Sequence, residues 1–143
     1  MADKLHTLVQ TAKRRTYRPP AAGAGLDVLV VDDEQNVCDL LRDALARYGH
    51  RVVSFTDGHR AIEEAQRQSF DVVFLDIRMP GINGVEVLKT LHRLLPQATF
   101  VMITAYAESE LVDESLDSGA FICLSKPLSI LEVVELVQGF GHK

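Results

Sequence analysis

Asp32, Asp33, Asp76, Thr104 and Lys126 all stand at or just beyond the ends of short apolar runs rich in β-formers. Brought into one cleft, three carboxylates could not all stay ionised without a cation. A site offering only oxygen ligands and open on one side suits Mg2+, which keeps several waters and accepts a phosphate oxygen. Lys126 would supply a compact positive charge for a phosphoryl group, and Thr104 a hydroxyl donor. Together the five describe a carboxylate able to receive a phosphoryl group under cationic stabilisation. Each aspartate also lies near a helix start and could be a cap, but three such acids beside a lysine are costly unless they bind something.

The elements that would position these residues follow from hydrophobic periodicity. Val72-Val73-Phe74-Leu75 is a continuous apolar run that stops at Asp76, the pattern of a strand buried on both faces. Met79-Pro80-Gly81 then forces a turn, and a helical pattern runs over Val85–Leu95. The same alternation recurs along the chain. Strands are predicted at Leu26–Val31, Arg51–Phe55, Asp71–Leu75, Thr99–Ile103 and Phe121–Leu124. Helices are predicted over Glu34–Tyr48, from Asp57 or Gly58 through Ala65, and over Glu108–Ser118 and Leu128–Gln138. In the first helix Val37, Leu40, Leu41, Ala44, Leu45 and Tyr48 share one face. Five strand–helix units imply an α/β fold, a doubly wound parallel sheet with helices on both faces. With strand order 2-1-3-4-5, the first and third strands meet at the switch point, where ligands bind beyond the strand ends.

Composition narrows the classes further. The 143 residues carry a formal net charge of -5 with 47% hydrophobic residues, which fits one globular domain and gives no nucleic-acid signature. Cys38 and Cys123 form no CxxC pair or metal cluster, in keeping with a reducing, cytoplasmic setting. No apolar run approaches the ~20 residues of a membrane span, and the first residues lack a signal-peptide core. Residues 1–25 form a basic arm and linker: Lys4, Lys13, Arg14, Arg15 and Arg18 face a single acid, Asp3. Leu5, Leu8, Val9 and Ala12 recur at helical spacing, and Arg18 to Gly25 reads as a linker. The simplest role for so weak a basic patch is a solvated leader.

The motifs Val30-Val31-Asp32-Asp33-Glu34, Leu75-Asp76-Ile77-Arg78-Met79-Pro80-Gly81, Ile103-Thr104-Ala105 and Lys126-Pro127 carry a resemblance. Over residues 26–140 the chain resembles the receiver domains of two-component and phosphorelay response regulators. The resemblance implies a flavodoxin-like sheet and a phosphoprotein that takes its phosphoryl group from a histidine kinase or histidine phosphotransfer protein. Asp76 would be the phospho-acceptor, with Thr104 and Lys126 bonding phosphoryl oxygens. Mg2+ would be held by Asp33, Asp76 and the backbone carbonyl of Arg78, with Asp32 acting mostly through water. The Lys126-Pro127 bond would be cis. Such a domain is no enzyme beyond its own phosphorylation and dephosphorylation.

Where receivers usually carry an aromatic switch residue, three positions before the lysine, this chain has Cys123. Signalling is then expected to depend on Thr104 and on Tyr106, the large side chain of the adjoining loop. This absence resembles the stand-alone carriers of phosphorelays, and the shortness of the chain after Phe140 points the same way. The alternative is the regulatory receiver of a longer transcriptional regulator. An aspartyl-phosphate phosphohydrolase would need an acid where Arg78 stands. A downstream protein partner would dock on the face formed by helix 108–118, strand 121–124 and helix 128–138. In the last helix Ile130, Leu131, Val134 and Val137 are expected in the core. Val133, Leu136 and Phe140 form a second stripe open to a partner, a second copy or the arm.

Overall fold

The computed structural model describes residues 8–11, 25–106 and 110–140. The predicted pattern of strand and helix appears with boundaries shifted by one or two residues. In chain order the elements are β1 Leu8–Thr11, β2 Asp27–Val31, α1 Gln35–Ala46, β3 Arg51–Phe55, α2 Gly58–Ala65 and β4 Val72–Asp76. There follow β5 Arg78–Met79, β6 Ile82–Asn83, α3 Gly84–Leu94, β7 Thr99–Thr104, α4 Glu110–Asp117, β8 Ile122–Ser125 and α5 Ile130–Phe140.

The main sheet runs β1-β8-β7-β4-β2-β3. Its five parallel strands, counted along the chain, take the expected order 2-1-3-4-5, with β2 and β4 adjacent. Side chains of β4 alternate between two cores, as required of a strand buried on both faces. Val73 and Leu75 pack with Val85, Leu88 and Leu91 of α3 on one side. Val72 and Phe74 pack with Leu41 and Leu45 of α1 and Val133 and Val137 of α5 on the other.

Three details differ from the sequence reading. Leu8–Thr11 is no helix but a strand pairing antiparallel with β8, with a register irregularity between Leu8 and Gln10. A short isolated helix is marginal in water, whereas the outer edge of β8 offers unpaired backbone groups for the arm to satisfy. Leu5 and Ala12 lie outside the described residues, as do positions 108 and 109 of the predicted acidic helix. On α5 the buried stripe is Val133, Val134, Val137 and Phe140, and Leu131 is 67% exposed. Phe140 packs edge-on against Phe121 at 5.7 Å, which fixes that rotation. Leu40 of α1 and Tyr48, in the turn after it, are exposed, and Cys38 takes a core position instead.

Candidate functional site

The register aligns the strand ends. Val31 pairs with Leu75, Asp76 with Ile103, and Thr104 with Ser125, so the residues that follow emerge together at the carboxyl end of the sheet. The chain leaving β4 is tied down locally. Asp76 Oδ1 accepts the Arg78 N–H at 3.2 Å, and the Ile77 N–H donates to the Ile103 carbonyl at 2.9 Å. Pro80-Gly81 closes the β5–β6 hairpin, with Gly81 at a φ of 79° that favours glycine. Asn83 caps α3 by accepting the Val85 N–H at 2.7 Å. Gly84 lets that helix start directly against the β4 exit, where a Cβ would collide with the carbonyl oxygens of Asp76 and Ile77.

Asp32, Asp33 and Asp76 offer carboxylate oxygens that all lie within 4.8 Å of one another. Asp32 and Asp76 are buried and Asp33 is exposed, so the group opens to solvent on one side. Asp32 Oδ1 accepts the Glu34 N–H at 2.9 Å. Asp32 Oδ2 has the Lys126 ammonium at 3.0 Å but no partner of hydrogen-bonding geometry, leaving a buried carboxylate oxygen unsatisfied. Lys126 Nζ lies 3.2 Å from Asp76 Oδ2 and 2.7 Å from Glu34 Oε1. The Lys126 N–H donates to the Thr104 carbonyl at 2.8 Å, and the Lys126-Pro127 peptide is cis as expected. A cleft of about 590 Å³ opens over this group, lined by Asp33, Glu34, Asp76, Arg78, Tyr106 and Lys126 among others.

The electrostatics are those of crowded acids. Burial pushes the Asp76 carboxyl up to about 7, the Asp32 charge adds to this, and Lys126 offsets part of it. Burial also raises Asp32, against the pull of the Glu34 N–H and of Lys126. For Lys126, burial works against the charged form, yet its bonds to Glu34 and Asp32 and the charges of Asp32 and Asp76 raise it overall. Three carboxylates, those of Asp32, Glu34 and Asp76, share one ammonium, and Asp33 adds a fourth negative charge beside them. The all-oxygen donor set, the orphaned Asp32 Oδ2 and the excess negative charge fit a hard divalent cation.

Thr104 is buried, and its Oγ1 accepts the Tyr106 N–H at 2.9 Å. Tyr106 is 57% exposed at the cleft rim, where the Arg78 guanidinium lies 4.6 Å from its ring centroid. Cys123 is fully buried in the core on the α4 side. Burial, with a contribution from Asp113, pushes its thiol up to about 12, which makes it an inert packing residue. All the sequence-predicted residues except Cys123 thus converge on the strand ends. Glu34 joins them, and the sequence reading gave it no role of its own. The signal was its place in the motif after Asp32-Asp33, but its contact with Lys126 spans 92 positions.

A family model for the response regulator receiver domain matches residues 28–138. The transcriptional regulatory protein ZraR of Klebsiella oxytoca is 37% identical over 107 residues, which cover 75% of this chain and 24% of that protein. The sporulation initiation phosphotransferase F of Bacillus subtilis is 28% identical over 113 residues, covering 79% of this chain and 91% of that protein. Among solved structures, a CheY-like receiver from Methanospirillum hungatei JF-1 superposes with a TM-score of 0.77 at 26% identity, covering 81% of this chain and 93% of that one. The Vibrio cholerae chemotaxis protein CheY4 does so with 0.75 at 28% identity, covering 82% and 99%. Among the described residues no helix is long and apolar enough to cross a membrane. The site, the sheet order and these likenesses agree: the chain belongs to the response regulator receiver family of two-component signalling.

Proposed function

We propose that this chain accepts a phosphoryl group on Asp76 from a histidine phosphodonor and signals through the resulting change at the cleft. The observation carrying this reading is Asp76 Oδ2, placed at the end of the central strand 3.2 Å from Lys126 Nζ beneath an open cleft. An Asp76 oxygen attacks phosphorus, and the P–N bond to the donor imidazole breaks with its electron pair staying on nitrogen. Lys126 moves from its carboxylate partners toward a phosphoryl oxygen, and the Thr104 hydroxyl turns toward another. Asp33, Asp76 and the Arg78 carbonyl would hold Mg2+, with Asp32 supporting it through water. When bound, that ion supplies charge neutralisation for the transferring group. The acceptor is then self-modifying and turns over no external substrate beyond its donor.

Two outputs are open to such a domain. Similarity to the sporulation phosphotransferase favours a relay carrier that hands the group onward. Similarity to ZraR and to NtrC of Escherichia coli, of each of which this chain spans 24%, favours a regulatory domain within a transcriptional regulator. Phosphotransfer profiling against the organism's histidine kinases and phosphotransfer proteins tests the reading. Transfer onward to a histidine supports the relay, and a phosphoryl group that only hydrolyses supports the regulator. No transfer from any donor contradicts both.

A further inference from the structure

Glu34 stands at the N-cap of α1, where a side chain would ordinarily accept a backbone N–H of the first turn. Here it makes no such bond. Asp32 Oδ1 accepts the N–H of Glu34 itself, and the Glu34 carboxylate turns across the cleft to Lys126. At 2.7 Å this is the shortest of the three ammonium–carboxylate contacts, against 3.0 Å to Asp32 and 3.2 Å to Asp76. The lysine is 15% exposed and Glu34 58%, so the pair straddles the cleft wall. An ammonium has three donors on a compact head. A phosphoryl group arriving on Asp76 must take one of them from a carboxylate that already holds it.

Resting on the phosphoacceptor reading above, we propose that Glu34 is a positioning residue that holds Lys126 in a resting place. Lys126 must leave it when Asp76 is phosphorylated. Asp32 and Asp76 pull the same ammonium from the floor of the cleft. Glu34 pulls it from the exposed side, and can swing away into solvent once the phosphoryl oxygens compete. The contact therefore opposes the phosphorylated state without blocking it. Removing it lets Lys126 turn to the phosphoryl group at lower cost.

The test compares wild type, Glu34→Gln and Glu34→Asp. The first reading is the side-chain NMR resonance of Lys126 in the metal-free chain, assigned with Lys126→Arg. The second is the beryllofluoride concentration that half-saturates the protein at saturating Mg2+. Glu34→Gln should move the Lys126 resonance toward its position in the wild-type beryllofluoride complex. It should also tighten beryllofluoride binding about 3-fold to 10-fold, the scale of one lost charge-assisted contact. Glu34→Asp keeps the charge but shortens the side chain by a methylene, and should behave like Glu34→Gln. An unmoved Lys126 resonance in Glu34→Gln, or binding that is unchanged or weaker, overturns the proposal. So does a Glu34→Asp variant that keeps wild-type values, because charge alone would then explain the effect. Failure of wild type to bind beryllofluoride would contradict the phosphoacceptor reading, while the metal-free Lys126 resonance still judges Glu34.

Discussion

The Thr104 hydroxyl oxygen accepts the backbone N–H of Tyr106 at 2.9 Å, closing a small turn at the end of β7. Tyr106 in turn carries the Arg78 guanidinium over its ring, so the loops after β4 and β7 are joined across the cleft. Turning the Thr104 O–H toward a phosphoryl oxygen adds a donated bond to a charged group, at ~1–3 kcal/mol. This difference in contact is what a population shift requires. Backbone amide shifts of wild type, Thr104→Ala and Cys123→Ala, with and without beryllofluoride, separate the contributions. Thr104→Ala should shrink the response around Tyr106, and Cys123→Ala should leave it nearly intact. The opposite pattern would place the switch at Cys123.

A pH dependence follows from the raised carboxyl of Asp76. Its value of about 7 stands above the ordinary 3.8, so in the metal-free chain folding favours the protonated form. The associated stability is full below the ordinary value and is lost as pH rises through about 7. Urea unfolding in chelator should show Asp76→Asn more stable than wild type at pH 8, by up to roughly 4 kcal/mol, with the gap closing toward pH 4. Adding Mg2+ at pH 8 should narrow the gap by stabilising wild type. A gap that does not change with pH would show that Asp76 ionises without cost.

Gly84 is required by space alone, since a methyl there meets the carbonyl oxygens of Asp76 and Ile77. Gly84→Ala should push α3 from the end of β4 and cost about 1–3 kcal/mol of stability. It should also weaken Mg2+ binding, because the Asp76 backbone moves with the helix. Thermal unfolding and metal titration of the variant check both effects, and wild-type values in each would show that the helix start yields freely.

The central strands were legible because β4 and β7 are buried on both faces and read as unbroken apolar runs ending in Asp76 and Thr104. With the sheet order that puts β2 beside β4, those ends form the acidic cleft. The arm was misread because Leu8–Thr11 is too short for periodicity to separate helix from strand, and its state depends on the β8 edge more than a hundred positions away. The α5 stripe was misread for a related reason. Positions 130, 131, 134 and 137 and positions 133, 134, 137 and 140 both satisfy helical spacing, and tertiary packing, with Val133 in the core and Phe140 against Phe121, decides between them. The link from Glu34 to Lys126 is a tertiary contact that neither local pattern announces.

The most direct measurement is intact mass after incubation with acetyl phosphate and Mg2+, for wild type and Asp76→Ala. An acceptor role for Asp76 predicts one added phosphoryl group on wild type, dependent on Mg2+, and none on the variant. Equal phosphorylation of Asp76→Ala would contradict it.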